Sequence, residues 1–125
     1  MKRIHDIALT LFYLTLLMFA CNGTPVISPE QLAGRWDIKE AFRNERPTES
    51  MEALFFEFKP NGRMVTNLIG ADVEAAYELK RDKILQRKSD MEADYLIEGF
   101  TDTTLTLSTT LRDYKFRFFL HKKSK

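Results

Sequence analysis

The sequence predicts an all-β protein: a small eight-stranded antiparallel up-and-down β-barrel, residues 31–125, behind an N-terminal signal segment. Three observations carry this. From Trp36 to His121 the apolar residues recur at every second position, not with the 3.6-residue period of a helix. Turn-forming residues interrupt that alternation about every 8–12 residues, the spacing of successive hairpins. Finally, Ile7 to Phe19 carries no charge and ends just before Ala20 and Cys21, the chain's one cysteine.

Lys2 and Arg3, the uncharged run and the small residue Ala20 make up the three parts of a secretory signal. The run is shorter than the roughly 17–25 residues that span a bilayer. A lone cysteine in an exported chain calls for an explanation, and lipid on its sulfur supplies one. Leu17-Met18-Phe19-Ala20-Cys21 resembles a bacterial lipobox, although Met18 and Phe19 stand where Leu and a small residue are usual. The resemblance implies a signal peptide over 1–20, a palmitate-type anchor on Cys21 and a tether over 21–30. It also implies a cell-envelope lipoprotein, held on the membrane through Cys21. Asn22 is not an aspartate, which favours the outer membrane, on its periplasmic or surface face.

Cleavage before Cys21 removes Lys2, Arg3 and Asp6 and leaves acidic and basic residues in balance. A nucleic-acid binder would carry a basic footprint, so that class is set aside. With one cysteine no disulfide forms within the chain, and stability must come from an aromatic-rich core. Of the ten Phe, four Tyr and one Trp, the eight Phe, three Tyr and one Trp that follow Cys21 supply it. A monomer is expected.

Taken in order, Ser28-Pro29-Glu30-Gln31-Leu32 is a helical turn, with Ser at the N-cap, Pro first and Gln third. Gly34-Arg35-Trp36 opens the first strand, in which Trp36, Ile38, Glu40 and Phe42 share a face. Residues 43–50 form a charged loop. In the strand Met51 to Lys59, Leu54, Phe56 and Phe58 face in and Phe55 faces out. Asn61-Gly62 is a hairpin turn, since both residues accept positive φ. Strands follow over Arg63 to Leu68, Ala75 to Lys80, Lys83 to Arg87 and Asp94 to Phe100, then through Leu105 to Thr109 and Tyr114 to Leu120. Eight such strands are enough to close a sheet and remove its edges.

Gly34-Arg35-Trp36, Phe56-Glu57-Phe58-Lys59-Pro60-Asn61-Gly62, Tyr77-Glu78-Leu79-Lys80 with its Arg81-Asp82 turn, and Tyr114-Lys115-Phe116-Arg117-Phe118 together resemble the small bacterial lipocalin-like lipoproteins. That resemblance implies a barrel closed at Gly34 and Trp36, with a basic residue of the last strand over the Trp. Arg117 and Lys122 are both candidates. Thr101-Asp102-Thr103 lacks the aromatic of the larger lipocalins, and no residues remain for their C-terminal helix.

The residues that alternation sends inward are the candidate ligand contacts: Glu40, Phe42, Phe56, Phe58, Tyr77, Tyr95, Tyr114 and Phe116, with Thr66 and Thr109. An apolar space with a few placed hydroxyls suits a small hydrophobic or amphipathic molecule. The same bulky residues equally fill a barrel of this length. In that case the chain is a solid-core interaction module for an envelope protein, with loop 43–50, Phe55 and Phe119 as contacts. Glu40 points inside if the alternation holds and into solvent if a bulge or a mouth position intervenes; an isolated buried carboxylate would be costly. The two histidines, His5 and His121, make no metal cluster. No Ser or Cys has a base beside it in the pattern, and there is no phosphate loop, so neither enzyme nor cofactor is expected. The basic residues Lys122, Lys123 and Lys125 offer contact with anionic lipid.

Overall fold

A computed structural model describes residues 27–89 and 91–124; Cys21 and the expected signal segment, residues 1–20, lie outside them. A short helix, α1 (Pro29–Leu32), precedes nine strands: β1 (Gly34–Arg43), β2 (Arg46–Thr48), β3 (Phe55–Phe58), β4 (Arg63–Thr66), β5 (Val73–Lys80), β6 (Lys83–Arg87), β7 (Ala93–Phe100), β8 (Thr104–Leu111) and β9 (Tyr114–Lys122). All pairings are antiparallel. β3 to β9 follow one another in space as in sequence, and β9 returns to β1 over Trp36↔Lys122 to Arg43↔Phe116. This is a closed eight-stranded up-and-down barrel.

β2 is a ninth strand within residues 43–50, which sequence reading assigned to a loop. Long β1 divides its second edge: Gly34 to Asp37 pairs with β3, and Ala41 to Arg43 pairs with β2. Asn44 (φ 51°) and Glu45 (φ 69°) make the tight turn between them. Pro47 has no N–H to offer a further strand, which blunts this edge. β3 is shorter than the expected Met51 to Lys59. Residues 51–53 turn, and Leu54 is buried with its carbonyl accepting from the Ile38 N–H at 3.0 Å.

At one barrel end Ser28 and Gln31 form a reciprocal cap, Gln31 N–H to Ser28 Oγ at 3.1 Å and Ser28 N–H to Gln31 Oε1 at 2.9 Å. That fixes α1 across the end. Leu32 is buried beneath it, and the Trp36 indole N–H donates to the Leu32 carbonyl at 2.9 Å. Ile27, expected in a free tether, is instead 4% exposed and belongs to the core cluster. Between the two candidates for the cation over Trp36, the register selects Lys122, whose Nζ lies 5.3 Å from the ring centroid. Gly34 has φ +123°, and a Cβ there would sit 3.0 Å from Lys122 Cε, so both backbone and neighbour call for glycine.

Candidate functional site

The interior is packed aromatic on aromatic. Phe56 lies against Phe58 (6.3 Å between centroids, stacked), Tyr95 (5.3 Å, edge-on) and Phe118 (5.9 Å), while Phe58 meets Tyr77 edge-on at 5.2 Å. Trp36, Phe56, Tyr95, Phe118, Met64, Ile84 and Leu107 each have 0% exposure. A cavity wide enough for water beside any of these side chains would leave part of it accessible. The inward residues therefore fill the barrel's middle.

The interior polar groups are satisfied by neighbours. Tyr95 donates its hydroxyl to Gln86 Oε1 at 2.6 Å, and Gln86 Nε2 donates to the Met91 carbonyl at 3.1 Å. Thr66 bonds to the Phe55 carbonyl and Thr109 to the Asp94 carbonyl, both at 2.8 Å. Among the described residues no buried side-chain nitrogen or oxygen lacks a partner. A ligand inside would find no hydrogen-bonding group waiting for it. Gln86, a member of this network, went unremarked in the sequence because its neighbours in a charged strand resemble surface residues.

Burial pushes the Tyr95 phenol well above the ordinary 10.0 and Tyr77 upward too, Tyr77 by burial first and by Glu30 second. The native state thus holds a proton that the unfolded chain releases near pH 10. Stability is full below about pH 10 and falls as pH rises past it toward the native value. Tyr95→Phe should remove most of that alkaline fall in pH-dependent urea unfolding. At neutral pH it should cost about 1–3 kcal/mol, because Gln86 Oε1 is left buried without a donor.

Several candidate contacts are not where alternation put them. β1 carries a β-bulge between Ile38 and Glu40. The extra residue reverses every following side chain. Ala41 points inward at 4% exposure, Glu40 is exposed, and Phe42 turns outward to pack edge-on against Phe119 at 5.7 Å. Tyr114 is not an inward residue either: it is 46% exposed, with the Arg43 guanidinium 5.4 Å over its ring. Phe116 is inward but near the mouth, at 9% exposure. Phe55, expected as an exposed contact, is 8% exposed beneath the Arg35 guanidinium at 4.1 Å, which Asp37 holds at 2.8 Å. Phe119 is half-buried by Phe42. Phe56, Phe58, Tyr77 and Tyr95 do meet inside.

A concave feature of this surface lies mainly on the outer wall and reaches the barrel rim at Ala93, Thr109 and Phe116. A groove of about 680 Å³ runs over β8, whose small outward residues Ser108 and Thr110 make its floor. β7 supplies one wall with Asp94, Leu96 and Glu98; β9 supplies the other with Lys115 and Arg117, and Phe42 lies at the margin. Register explains the shape. Ser108 sits opposite Leu96 on one side and Arg117 on the other, a short side chain between two long ones. Arg117 Nε reaches Glu98 Oε1 at 3.0 Å, and Arg87 Nη1 reaches Asp94 Oδ1 at 2.7 Å. Asp94's hydrogen bond raises the Arg87 guanidinium pKa further. The groove thus offers hydroxyls, one exposed leucine and charges of both signs. Neither register neighbour of Ser108 can act as a base toward it. Among the described residues no group of three His, Cys, Asp or Glu is placed to hold a metal.

No protein-family model, curated protein or solved structure matches the chain.

Proposed function

We propose that this chain is a lipid-anchored envelope protein, a lipocalin-like barrel with a solid core that works as a non-catalytic interaction module through its outer groove. One observation carries the choice between a ligand inside and a partner outside: the central interior side chains have 0% exposure. A small hydrophobic molecule could enter only by displacing packed aromatics, which costs several kcal/mol of lost contacts per ring. The groove fits an extended polar segment of an envelope protein, met by paired charges for orientation and by Leu96 for apolar contact. Depletion of charge is usual at the centre of a stable interface; the charged walls here suit a transient partner.

A photo-crosslinker at Leu96, compared with one at Glu40 on a different part of the outer wall, tests the surface in cells. A discrete adduct from Leu96 alone, abolished when Ser108→Arg fills the floor, is the expected result. Equal adducts from both positions would contradict it. The anchor has its own test. Cys21→Ala should abolish palmitate labelling and release the chain from membranes, and persistent labelling would refute the lipobox reading.

A further inference from the structure

We infer that the α1 end of the barrel is a membrane-docking face, seated on anionic phospholipid headgroups with the opposite loops held outward. The inference rests on the Cys21 anchor proposed above and goes beyond it, since an anchor alone fixes where a domain is held and not how it stands.

The first observation is where the chain enters the barrel. Ile27 is buried at the α1 end, and Ser28 caps the helix that closes it. Five residues lie between Cys21 and Ile27. Even fully extended they reach about 20 Å. An eight-residue strand such as β7 is itself about 27 Å long. The α1 end is therefore confined near the bilayer, while the far loops are free to stand clear of it.

The second observation is charge. The β3–β4, β5–β6 and β7–β8 turns share this end with α1 and with the last residues of β9. The β5–β6 hairpin presents Lys80, Arg81 and Lys83, all exposed. β9 delivers Lys122 and Lys123 beside α1, where the Lys123 N–H bonds to the Arg35 carbonyl at 2.8 Å. None of these five cations belongs to the ion pairs found among the described residues. Glu30, Asp82 and Asp102 are the acidic groups of the same turns and helix. With each turn counted together with its flanking residues, the α1 end is net basic and the opposite end slightly acidic. Basic residues beside an anchor are attracted to anionic lipid, each strengthening binding about five-fold. Tether and charge select the same end independently.

The test uses the whole chain, produced in a bacterium and reconstituted into vesicles of phosphatidylcholine, alone or in equal parts with phosphatidylglycerol. A maleimide dye is placed at Pro60→Cys on the α1 end or at Ala71→Cys on the opposite end, both exposed positions, and read by a headgroup-attached quencher. In the mixed vesicles the dye at 60 should be quenched several-fold more than the dye at 71. K80E/R81E/K83E, and separately the vesicles without phosphatidylglycerol, should erase most of that difference. Equal quenching at the two sites, or a difference that survives both treatments, overturns the docking face while leaving the anchor intact. Dye reacting with Cys21 of the parent chain would show a free thiol; that overturns the anchor reading and the orientation built on it.

Discussion

Trp36→Ala should destabilise the barrel by about 3–5 kcal/mol, the range for deleting a large buried aromatic. Against a typical total of about 5–15 kcal/mol this is close to unfolding the domain. The size follows from three losses at one place. Trp36 is 0% exposed and lies 6.1 Å from the Phe100 ring, its N–H satisfies the Leu32 carbonyl, and its face receives Lys122. Without it α1 loses the side-chain hydrogen bond that ties Leu32 to β1. Trp36→Phe separates packing from hydrogen bonding: the ring mostly remains, the Leu32 carbonyl is left unpaired, and about 1–3 kcal/mol is expected. Urea unfolding followed by far-ultraviolet circular dichroism reads both variants, since the chain has no second tryptophan. Equal losses in the two variants would mean that the hydrogen bond, not the packing, holds the end closed.

Phe56→Ala is the second large effect, again about 3–5 kcal/mol. Phe56 touches Phe58, Tyr95 and Phe118 in the barrel's centre, and pairs of this geometry contribute about 0.5–1.5 kcal/mol each beyond area. Its complete burial among these three rings leaves little freedom for collapse. The variant should therefore contain a dry apolar cavity, of the kind that takes up benzene-sized molecules. Ligand-induced stabilisation of Phe56→Ala, absent from the parent chain, would mark the parent's interior as full.

The barrel itself was legible in the sequence because one face of each strand is buried and the other is wet. Leu105, Leu107 and Thr109 against Thr104, Thr106 and Ser108 is a pattern that no helix produces. Asn61-Gly62 and Arg81-Asp82 likewise mark their hairpins by local backbone preference. β1 misled where it bulges. Lys39 looks like any outward residue, and nothing in Ile38-Lys39-Glu40-Ala41 says that two positions on β1 will face one on β9. From that residue on, the alternation rule gives the opposite face: it predicts Phe42 inside, where Ala41 in fact points. β2 was hidden because Arg46-Pro47-Thr48 has neither apolar alternation nor β-branched density; it forms because β1 extends past β3 and leaves an edge unpaired. The groove was beyond sequence reading altogether. Ser108 and Thr110 read as ordinary solvent-facing residues, and only the register that sets them between Leu96, Asp94, Lys115 and Arg117 makes a depression of them.

The inward aromatic face explains why a ligand pocket and a filled core were both open readings. The residue types are the same in either case, and the barrel's radius against the summed side-chain volume decides. Phe56, Phe58, Tyr95 and Phe118 meet at centroid distances near 5–6 Å, which leaves no gap at the centre. On the function proposed above, recognition then falls to the outer wall, where Leu96 is 37% exposed between charged neighbours.

The most direct test is the melting temperature of the parent chain across a series of fatty acids and phospholipids, with Phe56→Ala alongside. A solid core predicts no saturable shift in the parent and a measurable rise in Phe56→Ala with small apolar molecules. A saturable rise in the parent chain, weakened by substitutions at Phe56 or Tyr95, would contradict it and return the site to the barrel's interior.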